Sequence, residues 1–199
     1  MSRTARVPSS NLQKHTSSNP LQKRLIDAFH RAVTGHIPPT PGKLLEVGCG
    51  EGFALRAVVV ESCPLTSVGL DIEAGALEWA RNLSPRSALV CGNALALPFP
   101  ADSFDVVMCL EVLEHLEDPA PAIEELLRVC RGSLILSVPW EPWFRLANFL
   151  RGKNLARWGD DPGHVQHWSS RGFGRFVETR CDVLSSRVSW PWTIVCCQP

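Results

Sequence analysis

A glycine-rich segment over residues 48–52, Gly-Cys-Gly-Glu-Gly, stands between a short apolar run and a helix-like stretch. Glycine allows a tight turn and lets a ligand approach the backbone with no Cβ in the way. The dinucleotide fingerprint is G-x-G-x-x-G, whereas this segment reads G-x-G-x-G and has Phe53 at the place of the third glycine. Glu46 is a second departure, because an acid interrupts an otherwise apolar strand. The segment predicts a ligand-binding turn.

Asp71 ends the next apolar run, 19 residues after Gly52. A carboxylate at that place can accept hydrogen bonds from both hydroxyls of a ribose. It could instead cap the helix that begins near Glu73. Because a glycine turn precedes it, we favour ribose binding.

Two histidines, His164 and His167, follow the fifth predicted strand, in a connection that faces the ligand crevice of an open α/β sheet. Their spacing places them on one side of a helical turn, or on opposite faces of a strand. Histidine titrates near neutrality and can remove a proton from an acceptor. We therefore treat both as candidate catalytic residues. The alternative is that they only anchor the long connection to the sheet.

The elements that position these residues alternate between apolar runs and amphipathic stretches. Strands are predicted at 44–47, 66–71, 87–91, 104–110 and 133–138, with helices at 53–61, 74–82 and 121–130. This alternation specifies a parallel sheet with helices on both faces. Two further strands, at 182–189 and 192–198, are joined so closely that they must be antiparallel. We predict a doubly wound, Rossmann-like α/β sheet of seven strands: five parallel strands plus a C-terminal antiparallel hairpin.

The first 42 residues precede this sheet. Residues 1–18 are polar and lack acids, which predicts a mobile arm. Asn19 and Pro20 are typical of a helix start, and apolar residues at 21, 25, 29 and 33 predict an amphipathic helix that ends near Gly35. We predict an N-terminal arm and helix over 1–42 and one globular domain over 43–199.

Composition excludes several classes of protein. The 199 residues hold 20 Lys and Arg against 20 Asp and Glu, and a protein that binds nucleic acid needs a basic excess on one face. No apolar run reaches the roughly 18 residues that span a bilayer, and a secretory signal is absent. The eight cysteines form no C-x-x-C pair, which favours buried, reduced thiols over metal ligands. We expect a soluble, cytoplasmic protein with no nucleic acid partner, no membrane span and no metal.

Five segments in order resemble the class I S-adenosylmethionine-dependent methyltransferases, and most closely their small-molecule branch, methyltransferase type 11. They are Leu-Leu-Glu-Val-Gly-Cys-Gly-Glu-Gly (44–52), Gly-Leu-Asp (69–71), Gly-Asn-Ala (92–94), Phe-Asp-Val-Val (104–107) and Glu-Val-Leu-Glu-His-Leu (111–116). The resemblance covers residues 43–138. It implies S-adenosylmethionine as the cofactor and methyl transfer to a small molecule. In related enzymes a segment such as 1–34 folds over the cofactor as a lid.

The resemblance implies a role for each matched residue. Glu46, Gly48 and Gly50 match the loop that holds the methionine part of the cofactor, with Glu46 toward its amino group. Asp71 matches the acid on the ribose hydroxyls. Ile72 matches the apolar residue that packs against adenine.

Four more positions complete this set of cofactor-binding residues. Asn93 and Ala94 match the pair that contacts adenine, where the family more often has Asp in place of Asn. Leu110 and Glu111 match the position that lines the methyl-donor pocket. His115 fits the family's helix, and we interpret it as a structural partner for backbone groups.

The chemistry of the acceptor is the part that the sequence specifies least. Six of the seven tryptophans follow residue 139, which suits an apolar or planar acceptor as well as plain packing. Basic residues at 145, 151, 153 and 157 suit an acidic acceptor. Two other functions stay open: a nicotinamide-dependent oxidoreductase and a non-catalytic subunit that binds S-adenosylmethionine. The oligomeric state is not specified.

Overall fold

The protein is described by a computed structural model that covers residues 10–39, 42–62, 66–152 and 154–199. Its strands are β1 (Lys43–Val47), β2 (Thr66–Asp71), β3 (Ala88–Cys91), β4 (Phe104–Leu110), β5 (Cys130–Pro139), β6 (Asp182–Ser189) and β7 (Trp192–Gln198). Its helices are α1 (Ser10–Thr16), α2 (Pro20–Thr34), α3 (Phe53–Ser62), α4 (Ala74–Leu83), α5 (Ala120–Val129), α6 (Trp143–Leu150) and α7 (Ser170–Glu178). Short 3₁₀ turns cover Leu113–His115 and Leu155–Arg157.

The seven strands form one sheet in the order β3-β2-β1-β4-β5-β7-β6. The first five strands are parallel to one another, and β7 is antiparallel to both β5 and β6. The predicted sheet and its terminal hairpin are therefore confirmed. The order reverses between β1 and β4, and a crevice opens at the carboxyl ends of the strands where an α/β sheet reverses its order.

Apolar side chains cover both faces of the sheet. Ile123 of α5 and Phe173 of α7 belong to the core on one face, and Phe29 of α2 and Leu55 of α3 belong to the core on the other. Both faces of the central strands are buried, as is usual for parallel sheets. The ionisable side chain of Glu46 is therefore exceptional, because it lies within a buried strand and is 2% exposed.

The N-terminal segment differs from its prediction in two respects. Residues 10–16, predicted as part of a mobile arm, form α1, and residues 1–9 lie outside the described residues. The start of α2 is as predicted, since the Asn19 side chain accepts hydrogen bonds from the backbone N–H groups of residues 21 and 22. Its buried face, however, consists of Ile26, Phe29 and Val33, and Leu21 is 64% exposed.

Cysteine chemistry follows the prediction in most of the described chain. The seven described cysteines are free, and five of them are buried. Cys91, which ends β3, is exposed, and Cys63 lies outside the described residues.

Among the described residues, no helix combines the length and the apolar character that crossing a membrane requires.

Candidate active site

A cavity of about 990 Å³ opens at the carboxyl ends of β1, β2 and β4. Its walls include the glycine turn after β1, residues of α1 and α2, and part of α6. The volume lies at the upper end of the range of about 300–1,000 Å³ that is usual for small-molecule sites. The cavity also lies where the strand order reverses, which is where α/β sheets bind ligands.

The glycine turn adopts a backbone that only glycine accepts readily. Gly48 and Gly50 have φ values of +75° and +52°, in the left-handed region that side chains disfavour. The backbone N–H groups of Gly48 and Cys49 donate to the carbonyl of Leu70 at 2.7 and 3.0 Å, which ties the turn to β2. A Cβ at position 48 would collide with Val112. The turn therefore brings bare backbone to the cavity wall.

Asp71 joins two segments of this wall. Its Oδ2 accepts a hydrogen bond from the backbone N–H of Gly50 at 2.7 Å, and its Oδ1 accepts one from the backbone N–H of Glu73 at 2.8 Å. Asp71 therefore makes a cap-like contact with the backbone of Glu73 and also lines the cavity. Because each carboxylate oxygen has two lone pairs, Asp71 retains acceptor capacity for hydroxyl groups.

Glu46 presents a buried acid to the same cavity. Burial and the nearby Asp71 carboxylate raise the pKa of Glu46 to about 8. Its Oε2 is buried and has no hydrogen-bond partner within the described chain. An ammonium group in the cavity would satisfy this oxygen and favour the ionised carboxylate. Glu46 therefore fits the amino group of S-adenosylmethionine.

Ile72, Asn93 and Ala94 line one side of the cavity together. Ile72 is 66% exposed, so it offers apolar surface to a planar ring. The Asn93 Oδ1 accepts a hydrogen bond from the backbone N–H of Leu95 at 2.9 Å, which leaves the Asn93 amide NH₂ as a donor. The three residues that the sequence assigned to adenine or its neighbourhood lie in one wall.

Leu110 and Glu111 line the cavity after β4. Glu111 has a φ of +59°, and its Oε2 accepts a hydrogen bond from Nε1 of Trp192 at 2.6 Å. The Lys14 ammonium lies 3.4 Å from the same oxygen. Glu111 therefore connects α1 and β7 across the cavity.

Lys14 and Trp192 are site residues that the sequence did not predict. They lie 97 and 81 residues from Glu111, so no local spacing indicates the contact. A tryptophan in the terminal hairpin was visible in the sequence, but nothing there linked it to Glu111.

The two candidate catalytic histidines lie in different surroundings. His164 lines the cavity, with its ring 5.5 Å from that of Phe144. Burial lowers the pKa of His164 to about 4, so its imidazole is neutral at pH 7. His167 is absent from the described residues that line the cavity, and its Nε2 lies 2.8 Å from Oδ1 of Asp160.

His115 contacts a backbone group, as the sequence interpretation has it. Its Nδ1 lies 2.8 Å from the carbonyl oxygen of Gly163, so this nitrogen carries the proton and donates. The adjacent Glu114 is 1% exposed. Burial and the Glu111 carboxylate raise the pKa of Glu114 well above its usual range. The sequence did not single out Glu114, because its burial depends on packing around the turn after β4.

Comparisons with known proteins find similarity to methyltransferases. The model of a family described as "Methyltransferase domain" matches residues 45–136. A Mycobacterium tuberculosis protein named as a probable S-adenosylmethionine-dependent methyltransferase is 35% identical over 111 residues, which cover 55% of this chain and 40% of that protein. A ubiquinone biosynthesis O-methyltransferase of Methylococcus capsulatus is 28% identical over 185 residues, which cover 78% of this chain and 74% of the relative.

A solved structure extends the likeness to most of the fold. The N-methyltransferase NodS of Bradyrhizobium japonicum, in complex with S-adenosyl-L-homocysteine, superposes with a TM-score of 0.67 at 15% identity. The superposition covers 95% of this chain and 92% of that one. By contrast, the chain spans about two fifths of the length of the mycobacterial relatives that it matches.

Proposed function

Residues 45–136 match a methyltransferase domain, and on that premise we propose that the chain is a class I S-adenosylmethionine-dependent methyltransferase that transfers a methyl group from S-adenosylmethionine to a small-molecule acceptor. The observation that carries this proposal is the arrangement of Glu46, the glycine turn and Asp71 around one cavity. They offer a carboxylate for an ammonium group, bare backbone for close approach, and a second carboxylate for ribose hydroxyls.

S-adenosylmethionine supplies a methyl group on a positively charged sulfur when it is bound. We assign its binding to the nine residues that line the cavity as the resemblance implies: Glu46, Gly48, Gly50, Asp71, Ile72, Asn93, Ala94, Leu110 and Glu111. Charge disperses during methyl transfer, so the main task of the protein is to hold the reacting atoms in line.

The N-terminal helices contribute to this positioning in our proposal. The Asn11 side chain donates to Oε2 of Glu51 at 2.6 Å, and the Lys14 ammonium lies 3.4 Å from Glu111. The His15 ring stacks on Phe53 at 4.2 Å. These contacts support a role for α1 as a lid that excludes water from the cavity.

An apolar acceptor with a hydroxyl group suits the remaining wall. Leu25, Phe144, Leu150 and Trp190 line it, and Arg151 is already engaged, since its Nη2 donates to Oδ1 of Asn148 at 2.6 Å. The apolar lining favours an apolar acceptor over an acidic one. The O-methyltransferase named among the relatives supports oxygen as the atom that receives the methyl group.

An acceptor hydroxyl must lose its proton, and the predicted base roles of His164 and His167 bear on that step. The neutral imidazole of His164 in the cavity wall supports it as the group that takes the proton. The contact of His167 with Asp160 favours anchoring.

Calorimetric titration with S-adenosylhomocysteine, NAD(H) and NADP(H) tests the proposed function first. We expect S-adenosylhomocysteine to bind and the nicotinamide cofactors to fail, whereas the reverse result would indicate an oxidoreductase. A screen of apolar phenols and hydroquinones, which reads out the S-adenosylhomocysteine produced, then tests turnover. Tight binding without turnover across the screen would favour a non-catalytic subunit.

A further inference from the structure

A carboxylate and two imidazoles meet in the cavity beside Phe144, on the side that the proposed function gives to the acceptor (the acceptor side). One oxygen of Glu114 and one nitrogen each of His115 and His164 all lie within 4.8 Å of one another. All three residues line the cavity, and the His115 and His164 rings lie 5.0 Å apart in an edge-to-face arrangement. Two imidazoles and one carboxylate form a ligand set that binds divalent transition metals in proteins.

Glu114 lacks the partners that a buried acid normally has. It is 1% exposed, and neither carboxylate oxygen has a hydrogen-bond partner among the residues that the structure describes. Glu111 adds a third buried oxygen without a described partner. A buried carboxylate is costly unless it is paired or coordinates a metal, so a cation at this cluster would remove that cost.

The backbone around the cluster is held in place. The carbonyl of Glu114 accepts hydrogen bonds from the N–H groups of Val165 and Gln166 at 2.9 and 3.0 Å. The hydrogen bond from Nδ1 of His115 to Gly163 leaves the other ring nitrogen free to coordinate. Contacts of this kind fix the orientation of metal-binding histidines. The segment that carries His164 is therefore pinned to the turn that carries the other two ligands.

A second cluster among the described residues has partners of its own, although Oε1 of Glu141 is also buried without a described partner. Ligand atoms of Glu141, Asp160 and His167 also lie within 4.8 Å of one another. There the Arg145 guanidinium lies 3.9 Å from Asp160, and the backbone N–H of Arg145 donates to Glu141. Because an arginine already supplies positive charge to that cluster, a metal ion has less to gain there.

We propose that Glu114, His115 and His164 form a site for a divalent transition-metal cation such as Zn²⁺, Co²⁺ or Mn²⁺. Ligand atoms around a tetrahedral zinc lie about 3.4 Å apart, so the side chains must move closer wherever their ligand atoms are further apart than this. The ion faces the acceptor side of the cavity, where it would polarise an acceptor hydroxyl and make its proton easier to lose. This role rests on the proposed function and would replace the base role of His164, because an imidazole that coordinates an ion cannot also take a proton. Metal binding itself does not rest on the proposed function. This proposal differs from the prediction of no metal, which was based on the spacing of the cysteines.

Titration of the chelator-treated full chain with Co²⁺, followed by visible absorption and equilibrium dialysis, tests the site. We expect one equivalent to bind without the absorption band of a cobalt–thiolate bond. Glu114→Gln and His164→Ala each lower the Co²⁺ affinity at least about tenfold, since loss of even an outer contact to a metal ligand costs about 10–100-fold. His167→Ala, from the second cluster, is the matched control and leaves the affinity within about twofold. Circular dichroism checks that each variant is folded. If His164→Ala does not fold, His164→Gln takes its place.

Several outcomes would overturn the site: no saturable Co²⁺ binding, a thiolate band, unchanged affinity in both ligand variants, or an equal loss in the control. Titration of the same samples with S-adenosylhomocysteine keeps the two proposals separate. S-adenosylhomocysteine binding without Co²⁺ binding overturns the metal site alone. Co²⁺ binding without S-adenosylhomocysteine binding supports the metal site and contradicts the proposed function.

Discussion

Glu46 makes the affinity for S-adenosylhomocysteine depend on pH. In the free protein its pKa is raised to about 8, first by burial and then by the Asp71 carboxylate. An ammonium group binds well only to the ionised carboxylate, so binding at pH 7 must remove a proton from Glu46. If only the ionised form binds, the affinity rises about fiftyfold between pH 6 and pH 8, and about 0.9 protons are released per ligand at pH 7.

Calorimetry in buffers with different ionisation enthalpies measures both quantities. The matched control is Glu46→Gln, which keeps the shape of the side chain and removes its titration. The variant should bind more weakly at pH 8 and should show little dependence on pH. Because the titration of the free ligand's amino group is common to both experiments, the difference between the two pH profiles reports the contribution of Glu46.

Stability gives an independent check with a defined sign. A carboxyl whose pKa is higher in the folded protein than in the unfolded chain contributes stability at low pH. That contribution is lost as pH rises from the ordinary glutamate pKa of 4.5 toward the raised pKa of about 8. At about 1.36 kcal/mol per pKa unit, the loss is about 5 kcal/mol, and Glu46→Gln should abolish most of it. Equal pH profiles for the two proteins, in affinity and in denaturant unfolding, would refute the reasoning.

Four further outcomes are expected. Asp71→Ala should weaken S-adenosylhomocysteine binding by about 2–3 kcal/mol. It should also lower the unfolding free energy, since two backbone N–H groups lose a charged acceptor. An unchanged affinity in calorimetry would contradict the proposed contact of Asp71 with the ribose. Gly48→Val should abolish S-adenosylhomocysteine binding, because the new Cβ meets Val112 and position 48 has a positive φ. The circular dichroism spectrum of this variant should remain that of a folded protein. Deletion of residues 1–18 should leave a folded protein with lower turnover. In the full chain, equal protease sensitivity of α1 with and without S-adenosylhomocysteine would count against a lid. His164→Ala should reduce turnover by about two to four orders of magnitude, whereas His167→Ala should chiefly lower the melting temperature. Full turnover in both variants would exclude both catalytic roles and leave positioning of the reacting atoms as the source of catalysis.

Local pattern was sufficient for the sheet and for the cofactor side of the cavity. β2, β4, β6 and β7 have the predicted bounds, because apolar runs and turn residues act over a few neighbouring positions. Gly48 and Asp71 were predictable for the same reason, since each follows a strand whose carboxyl end faces the crevice. The resemblance to the family motifs added the proposed roles of these residues.

Packing decided the features that the pattern left open. The sequence placed His164 and His167 in one connection, but only the fold brings the first to the cavity and pairs the second with Asp160. The helix α1 was missed because its polar sequence lacks an apolar period, and its contacts are with Glu51 and Glu111.

The surroundings of Glu114 have the same origin. The turn after β4, where both oxygens of Glu114 are buried, is hydrogen-bonded to residues 163–166, about 50 positions later in the chain. Periodicity reports which face of an element is apolar, and it does not report which distant segment covers that face. The acceptor side of the cavity is built from such distant contacts, whereas the cofactor side is built from turns that directly follow their strands.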